Sequence, residues 1–236
     1  QTWAYALLSF REDPEAAKLA RVHLTDFLAP VVKARRKKPQ NDVISELLEI
    51  RVDGRALTEE EIYSHVRLLF PTGGETTHGS LGNLLSTILA SNSLWQTLQQ
   101  DPSKIDKAVE ESLRWETPIA VLPRLSAPVE TVFEGVSLPA HSWVLFAIAG
   151  ANRDPLIFPD PDRFDLDRRK EESLTFGRGV KACPGMHLAR KNMGVALQVL
   201  LERFSSLQLV DLEAALPRRT VLRCPKALHV RAERSL

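Results

Sequence analysis

The chain has 236 residues and a net charge of +1 at pH 7, with 44% hydrophobic and 26% charged residues. That balance is ordinary for a soluble globular protein and makes no bulk electrostatic case for binding nucleic acid. Its two cysteines, Cys183 and Cys224, exclude a disulfide framework and a metal-clip spacing, which suits a reducing, cytoplasmic compartment. No apolar run approaches the ~20 residues that span a bilayer, and no signal peptide is evident. The chain opens on Gln1, Thr2 and Trp3 inside a helical run, and so reads as a fragment whose upstream part is absent.

Residues 4–35 are rich in Ala, Leu and charge. Apolar positions at Leu19, Val22, Phe27, Val31 and Val32 predict one or two amphipathic helices, interrupted near Asp13 and Pro14. Residues 33–38 hold five basic side chains among six. Without interleaved aromatics, and with a breaker at 39–42, they read as a solvated helix end rather than a nucleic-acid patch. A short helix over 42–49 and a turn at 52–55 follow.

Thr58 and Glu61 form a capping box that opens a helix over about 58–90. Ile62, Val66, Leu69 and Phe70 share one face, and Leu81, Leu84, Leu85, Ile88 and Leu89 continue the apolar character. Pro71 removes a hydrogen bond, and Gly73 and Gly74 each disfavour helix by roughly 1 kcal/mol, so a kink or bulge is expected across 67–76. Just beyond it, Glu75 and Thr76 set a carboxylate beside a hydroxyl. Such a pair relays protons and holds water, or else merely restarts the helix with Thr76 bonded back to the backbone.

Asp101 and Pro102 start a helix over about 102–115, with Ile105, Ala108, Val109 and Leu113 toward the core. Arg114 has two candidate partners on it, Glu110 at i,i+4 and Glu111 at i,i+3, and local helix physics alone chooses Glu110, as a surface ion pair. Residues 117–150 form a β-rich segment with strands at 131–133 and 143–146, and 152–164 is a proline-rich meander. The tail holds strand candidates at 207–210 and 228–231. His65, His78, His141, His187 and His229 show no metal-ligand spacing.

Residues 176–185 carry Phe-Gly-x-Gly-x-x-x-Cys-x-Gly. A helical pattern follows, with Leu188, Val195, Leu197 and Leu201 apolar, so Cys183 sits just before a helix N-terminus, whose N–H groups and dipole favour a thiolate. Gly177, Gly179 and Gly185 allow backbone angles and close approaches that a flat cofactor would need.

At these residues the chain resembles the cytochrome P-450 family, the haem-thiolate monooxygenases. Three more signatures agree: Gly73 to Thr77 match Gly-x-(Asp/Glu)-Thr-Thr, Glu111 and Arg114 match Glu-x-x-Arg, and 161–164 match Pro-(Glu/Asp)-Arg-Phe. The resemblance implies a mainly α fold with a small β-rich lobe, in a single domain, and heme b as cofactor. Cys183 would be the axial iron ligand. Phe176, Gly177 and Gly185 would surround the sulfur, Gly73 would face the haem, and Arg124 and Lys181 would bind its propionates. Glu75 and Thr76 would be the acid–alcohol pair of oxygen activation. Glu111, Arg114 and Arg163 would lock the fold. Phe70, Thr72, Ile119, Ala120, Val121 and Leu222, with Val221, would line the substrate space, where Thr72 and Pro71 depart from the family pattern.

The reaction implied is insertion of one oxygen atom of O2 into a small apolar organic substrate. Electrons would come from a separate ferredoxin or flavodoxin with its NAD(P)H reductase, since no flavin or dinucleotide motif is present. Arg178, Lys181, Arg190 and Lys191 would offer that partner a positive patch. Two other readings stand beside this one: a haem-binding module or inactive fragment without turnover, and a haem-free thiol enzyme using Cys183.

Overall fold

The structure, a computed structural model, describes residues 2–8, 10, 12–169 and 173–235. The chain divides into two compact units, Gln1–Glu75 and Thr76–Leu236. Each has its own apolar cluster, one around Val32, Leu47 and Ile62 and one around Leu84, Leu98, Met193 and Leu197.

The first unit contains helices α1 (Thr2–Leu8), α2 (Pro14–Lys37) and α3 (Val43–Glu49). The break expected near Asp13 is the start of α2, where the Asp13 carboxylate accepts the Ala16 N–H at 2.9 Å. The buried stripe of α2 is Ala17, Ala20, Leu24, Leu28 and Val32, whereas Leu19, Val22 and Phe27 are exposed. The helix carries two apolar stripes, and the expectation followed the larger side chains instead of the 3.6-residue repeat. Arg35, Arg36 and Lys37 fall in the last turn, complementing the helix dipole, and Arg35 pairs with Asp42. Strands β1 (Arg51–Val52) and β2 (Arg55–Ala56) form a tight hairpin with Asp53 and Gly54 at φ 51° and 79°.

Helix α4 (Glu59–Leu89) then runs through the predicted break, with no 3₁₀ or π turn between 67 and 76. The Thr72 hydroxyl bonds back to the Leu68 carbonyl at 2.6 Å, within the same turn. The capping box is present: Thr58 N–H donates to Glu61 at 2.8 Å, and Glu61 N–H donates to the Thr58 hydroxyl at 3.2 Å.

The Arg55 guanidinium, then the Thr58 N–H and hydroxyl, hold the Glu61 carboxyl down at about 2 from an ordinary 4.5. A folded value below the unfolded one stabilises the folded state above pH 4.5, and the benefit is lost as pH falls toward 2. We therefore expect the first turn of α4 to fray between about pH 4.5 and 2. The Glu61 carboxyl shift, followed by NMR titration, should have its midpoint near 2 in the native chain and move upward in Arg55→Ala.

The second unit holds the C-terminal half of α4, then α5 (Asn92–Gln100), a 3₁₀ turn at Pro102–Lys104 and α6 (Ile105–Trp115). Asp101 caps the turn through Ser103 N–H at 3.2 Å. Four strands follow, β3 (Leu122–Leu125), β4 (Thr131–Phe133), β5 (Val136–Leu138) and β6 (Trp143–Phe146), with β3 antiparallel to β6 and β4 to β5. Helix α7 (Ile148–Ala151) precedes the meander, and α8 (Met186–Arg203) leads into the antiparallel pair β7 (Phe204–Leu209) and β8 (Val230–Arg234).

The core joins Leu84 and Ile88 of α4, Trp95 and Leu98 of α5, Val109 and Leu113 of α6, and Met193, Leu197 and Leu201 of α8. Each such side chain contributes about 1.5–3 kcal/mol on burial. On α8, Leu188 and Val195 are exposed instead of buried. Met193 and Gly194 take the inward positions, with Gly194 facing α6 at ordinary packing distance: a Cβ there would sit 3.6 Å from Asp106 Oδ1.

Candidate functional site

The cysteine loop is held at both ends. Asn152, fully buried, accepts the Leu174 N–H at 2.7 Å and donates to the Thr175 hydroxyl at 3.0 Å. That hydroxyl in turn donates to the Leu113 carbonyl of α6 at 2.7 Å. Beyond it the chain turns twice through left-handed glycines, Gly177 at φ 65° and Gly179 at φ 67°, positions that favour glycine. A 3₁₀ turn at Gly179–Lys181 returns the chain, so Cys183 N–H donates to the Phe176 carbonyl at 2.8 Å. Cys183 then lies just before α8, whose N-cap is Gly185. A Cβ on Gly185 would stand 3.9 Å from Cys183 Sγ, which places this glycine beside the sulfur at ordinary contact distance. Neither cysteine is in a disulfide.

Arg124 lies exposed on β3 and, among the described residues, donates to the neighbouring Pro123 carbonyl at 2.9 Å. Lys181 is exposed as well, and neither makes an ion pair among the described residues. Arg190, expected in the same exposed positive patch, is committed elsewhere. Its Nε and Nη2 donate to Glu110 at 2.5 and 3.2 Å, and its guanidinium lies 4.7 Å from the Phe176 ring centroid.

The expected apolar wall is assembled from two distant stretches. Ala120 N–H donates to the Thr220 carbonyl at 2.9 Å, Arg223 N–H donates to the Pro118 carbonyl at 2.8 Å, and Ile119 bridges Val221. These bonds hold Leu222 at φ 52°, a strained angle for a branched residue, beside Ile119, Ala120 and Val121. Asn83 of α4 braces the same wall, donating to the Glu116 and Arg223 carbonyls at 2.8 and 2.9 Å.

On α4 of the first unit, Phe70 is exposed and Thr72 is half-buried. A Cβ on Gly73 or Gly74 would meet nothing within 4 Å. The Glu75 carboxylate makes no hydrogen bond or ion pair among the described residues. In the second unit, the Thr76 carbonyl accepts the Ser80 hydroxyl at 2.9 Å.

The buried network differs from expectation in its third member. Arg114 donates to both oxygens of Glu111 at 2.8 Å, with the side chains 3% and 4% exposed. The second guanidinium on Glu111 belongs to Arg168, at 3.0 Å, and not to Arg163. Arg163 is 67% exposed and pairs with Asp165 at 3.4 Å; only its carbonyl joins, accepting from Arg114 at 3.1 Å and Arg168 at 2.7 Å. The turn that lifts Arg163 outward directs Arg168 inward. Asn152, Thr175, Arg168 and the Arg190–Glu110 pair all escaped sequence reasoning. Their one signal was a lone Asn and paired arginines beside a motif.

A cleft of about 1020 Å³ is lined by parts of α6, α8 and the meander and includes neither Cys183 nor Arg124. No group of three or more metal-ligating side chains occurs among the described residues. A solitary thiol just before a helix start, and two exposed cations without carboxylate partners among the described residues, instead suit an iron porphyrin bearing two propionates.

With the helical fold, this arrangement is that of a haem-thiolate protein. The Cytochrome P450 family profile matches residues 95–230, more than half of the chain, and the chain belongs to that family. It is 35% identical over 209 residues to cytochrome P450 107B1 of Saccharopolyspora erythraea, covering 89% of this chain and 51% of that protein. A steroid C26-monooxygenase of Mycobacterium tuberculosis is 32% identical over 223 residues, covering 92% of this chain and 60% of that protein. Among solved structures, cytochrome P450 CYP109Q5 of Chondromyces apiculatus superposes with a TM-score of 0.89 at 33% identity, over 99% of this chain and 59% of the other. The chain thus spans between half and three fifths of these relatives. Members of the family bind heme b. No helix among the described residues is long and apolar enough to cross a membrane.

Proposed function

We propose that the protein is a haem-thiolate monooxygenase, inserting one oxygen atom of O2 into a small apolar organic substrate in the cytoplasm. The observation that carries this reading is the loop that presents Cys183 beside Gly185, fastened by the Cys183-to-Phe176 backbone bond. Haem, when bound, supplies the reductive activation of O2. Cys183 holds the iron and donates electron density to it. Arg124 and Lys181 bind the propionates by charge-assisted hydrogen bonds. Ile119, Ala120, Val121 and Leu222 exclude water from the reacting carbon. The Thr76 hydroxyl and the uncommitted Glu75 carboxylate hold and deliver protons. Electrons come from a ferredoxin or flavodoxin with its NAD(P)H reductase. The exposed Lys181 and Lys191 belong to its docking patch, and Arg190 does not.

The test is coupling. In the haem-loaded full-length protein, Thr76→Ala should retain the cofactor and bind substrate as before, while diverting most reducing equivalents to hydrogen peroxide. Product formed per NAD(P)H consumed at the unsubstituted level would remove Thr76 from the proton path. A protein that binds haem and never consumes NAD(P)H would be a haem-binding module instead.

A further inference from the structure

We propose that Arg190 is a positioning residue for the thiolate loop, acting through Phe176 on Cys183; this rests on the reading of Cys183 as the iron ligand. Two rigid elements fix the guanidinium. It projects from the first turns of α8, and its two bonds to Glu110 anchor it to α6. These helices are clamped together by Val109 and Leu113 against Met193 and Leu197. The cation therefore has a defined plane, and over it, at 4.7 Å, lies the face of Phe176. Phe176 is the residue whose carbonyl accepts the Cys183 N–H.

The chain of contacts runs from Glu110 through Arg190 and Phe176 to Cys183. The loop from Gly177 to Lys181 is itself exposed, with Val180 fully exposed and two glycines in its turns, so this chain of contacts is what ties its base to the helices. Glu110 neutralises most of the guanidinium charge, so Arg190 acts on the sulfur mainly by holding the loop still. Lysine in its place keeps a cation for the ring and loses the fork that grips Glu110.

The experiment has two arms. In the haem-free chain, amide hydrogen exchange of 176–186 is followed by mass spectrometry in Arg190→Met, Arg190→Lys, Glu110→Gln and Phe176→Leu. Arg190→Met should speed exchange at Cys183 about tenfold while exchange in 193–201 stays unchanged. Arg190→Lys and Glu110→Gln should fall between it and the parent. Phe176→Leu should add little to Arg190→Met, since both break one chain. Unchanged exchange at Cys183, or equal acceleration through all of α8, would overturn the proposal; if Arg190→Met does not fold, Glu110→Gln decides by the same criterion. In the haem-loaded protein, the same variants should release haem to an apo-globin acceptor faster, in the same order. Failure of the unsubstituted protein to show thiolate-ligated haem would overturn the ligand reading alone, leaving the exchange arm to decide for Arg190.

Discussion

Glu111→Ala is expected to destabilise the second unit by about 3–5 kcal/mol, a large share of the roughly 5–15 kcal/mol that holds a typical domain. The carboxylate is 4% exposed and accepts from Arg114, from Arg168 and from the Asp165 N–H at 2.9 Å. Removing it leaves two guanidinium groups facing each other without a counter-charge. Arg168→Ala should have a comparable though smaller effect, because its side chain is 11% exposed and its Nη2 also serves the Asp160 and Arg163 carbonyls. Arg163→Ala should stay within about 0.5 kcal/mol, as for other exposed side chains. Denaturant midpoints of the three variants check the order. Were Arg163→Ala the more damaging of the two arginine changes, the inward role of Arg168 would be wrong.

That order also marks where the sequence stops being legible. Glycine turns, caps and hairpins are short-range, so the loop at 176–185, the Thr58–Glu61 box and the strands at 131–133 and 143–146 could be found from a few neighbouring residues. Partner choice on α6 could not. Local pair energies of a few tenths of a kcal/mol point to Glu110 as the companion of Arg114, where the structure has Glu111. The choice is made by Arg190, eighty positions on, which takes Glu110, and by Arg168, which meets Glu111. Arg163 and Arg168 lie five apart in an irregular meander with no period to say which faces inward. In α4 the local rules pointed to a break, and the helix runs on through Pro71, Gly73 and Gly74 all the same.

Cys183→Ser should abolish the red-shifted Soret band of the reduced, carbon monoxide-treated protein and with it all oxygen transfer. The substitution replaces sulfur by oxygen with little change in shape, and the loop's own fastenings do not involve the thiol. The Cys183 N–H still reaches the Phe176 carbonyl, and Thr175 still reaches Leu113. The denaturant midpoint should therefore move far less than in Glu111→Ala, which separates a lost ligand from a lost fold. A serine hydroxyl is protonated near neutral pH and donates far less electron density than a thiolate, so any haem that remains should show the band of a protein without sulfur ligation. Cys224→Ser is the matched control. Cys224 lies in the tail segment against α4, where its Cβ would be 3.5 Å from a Cβ on Gly79, and its backbone pairs with Arg218. Its loss should leave the band in place. A spectrum indifferent to Cys183→Ser and altered by Cys224→Ser would transfer the ligand role to the other cysteine, and a spectrum indifferent to both would end the thiolate reading.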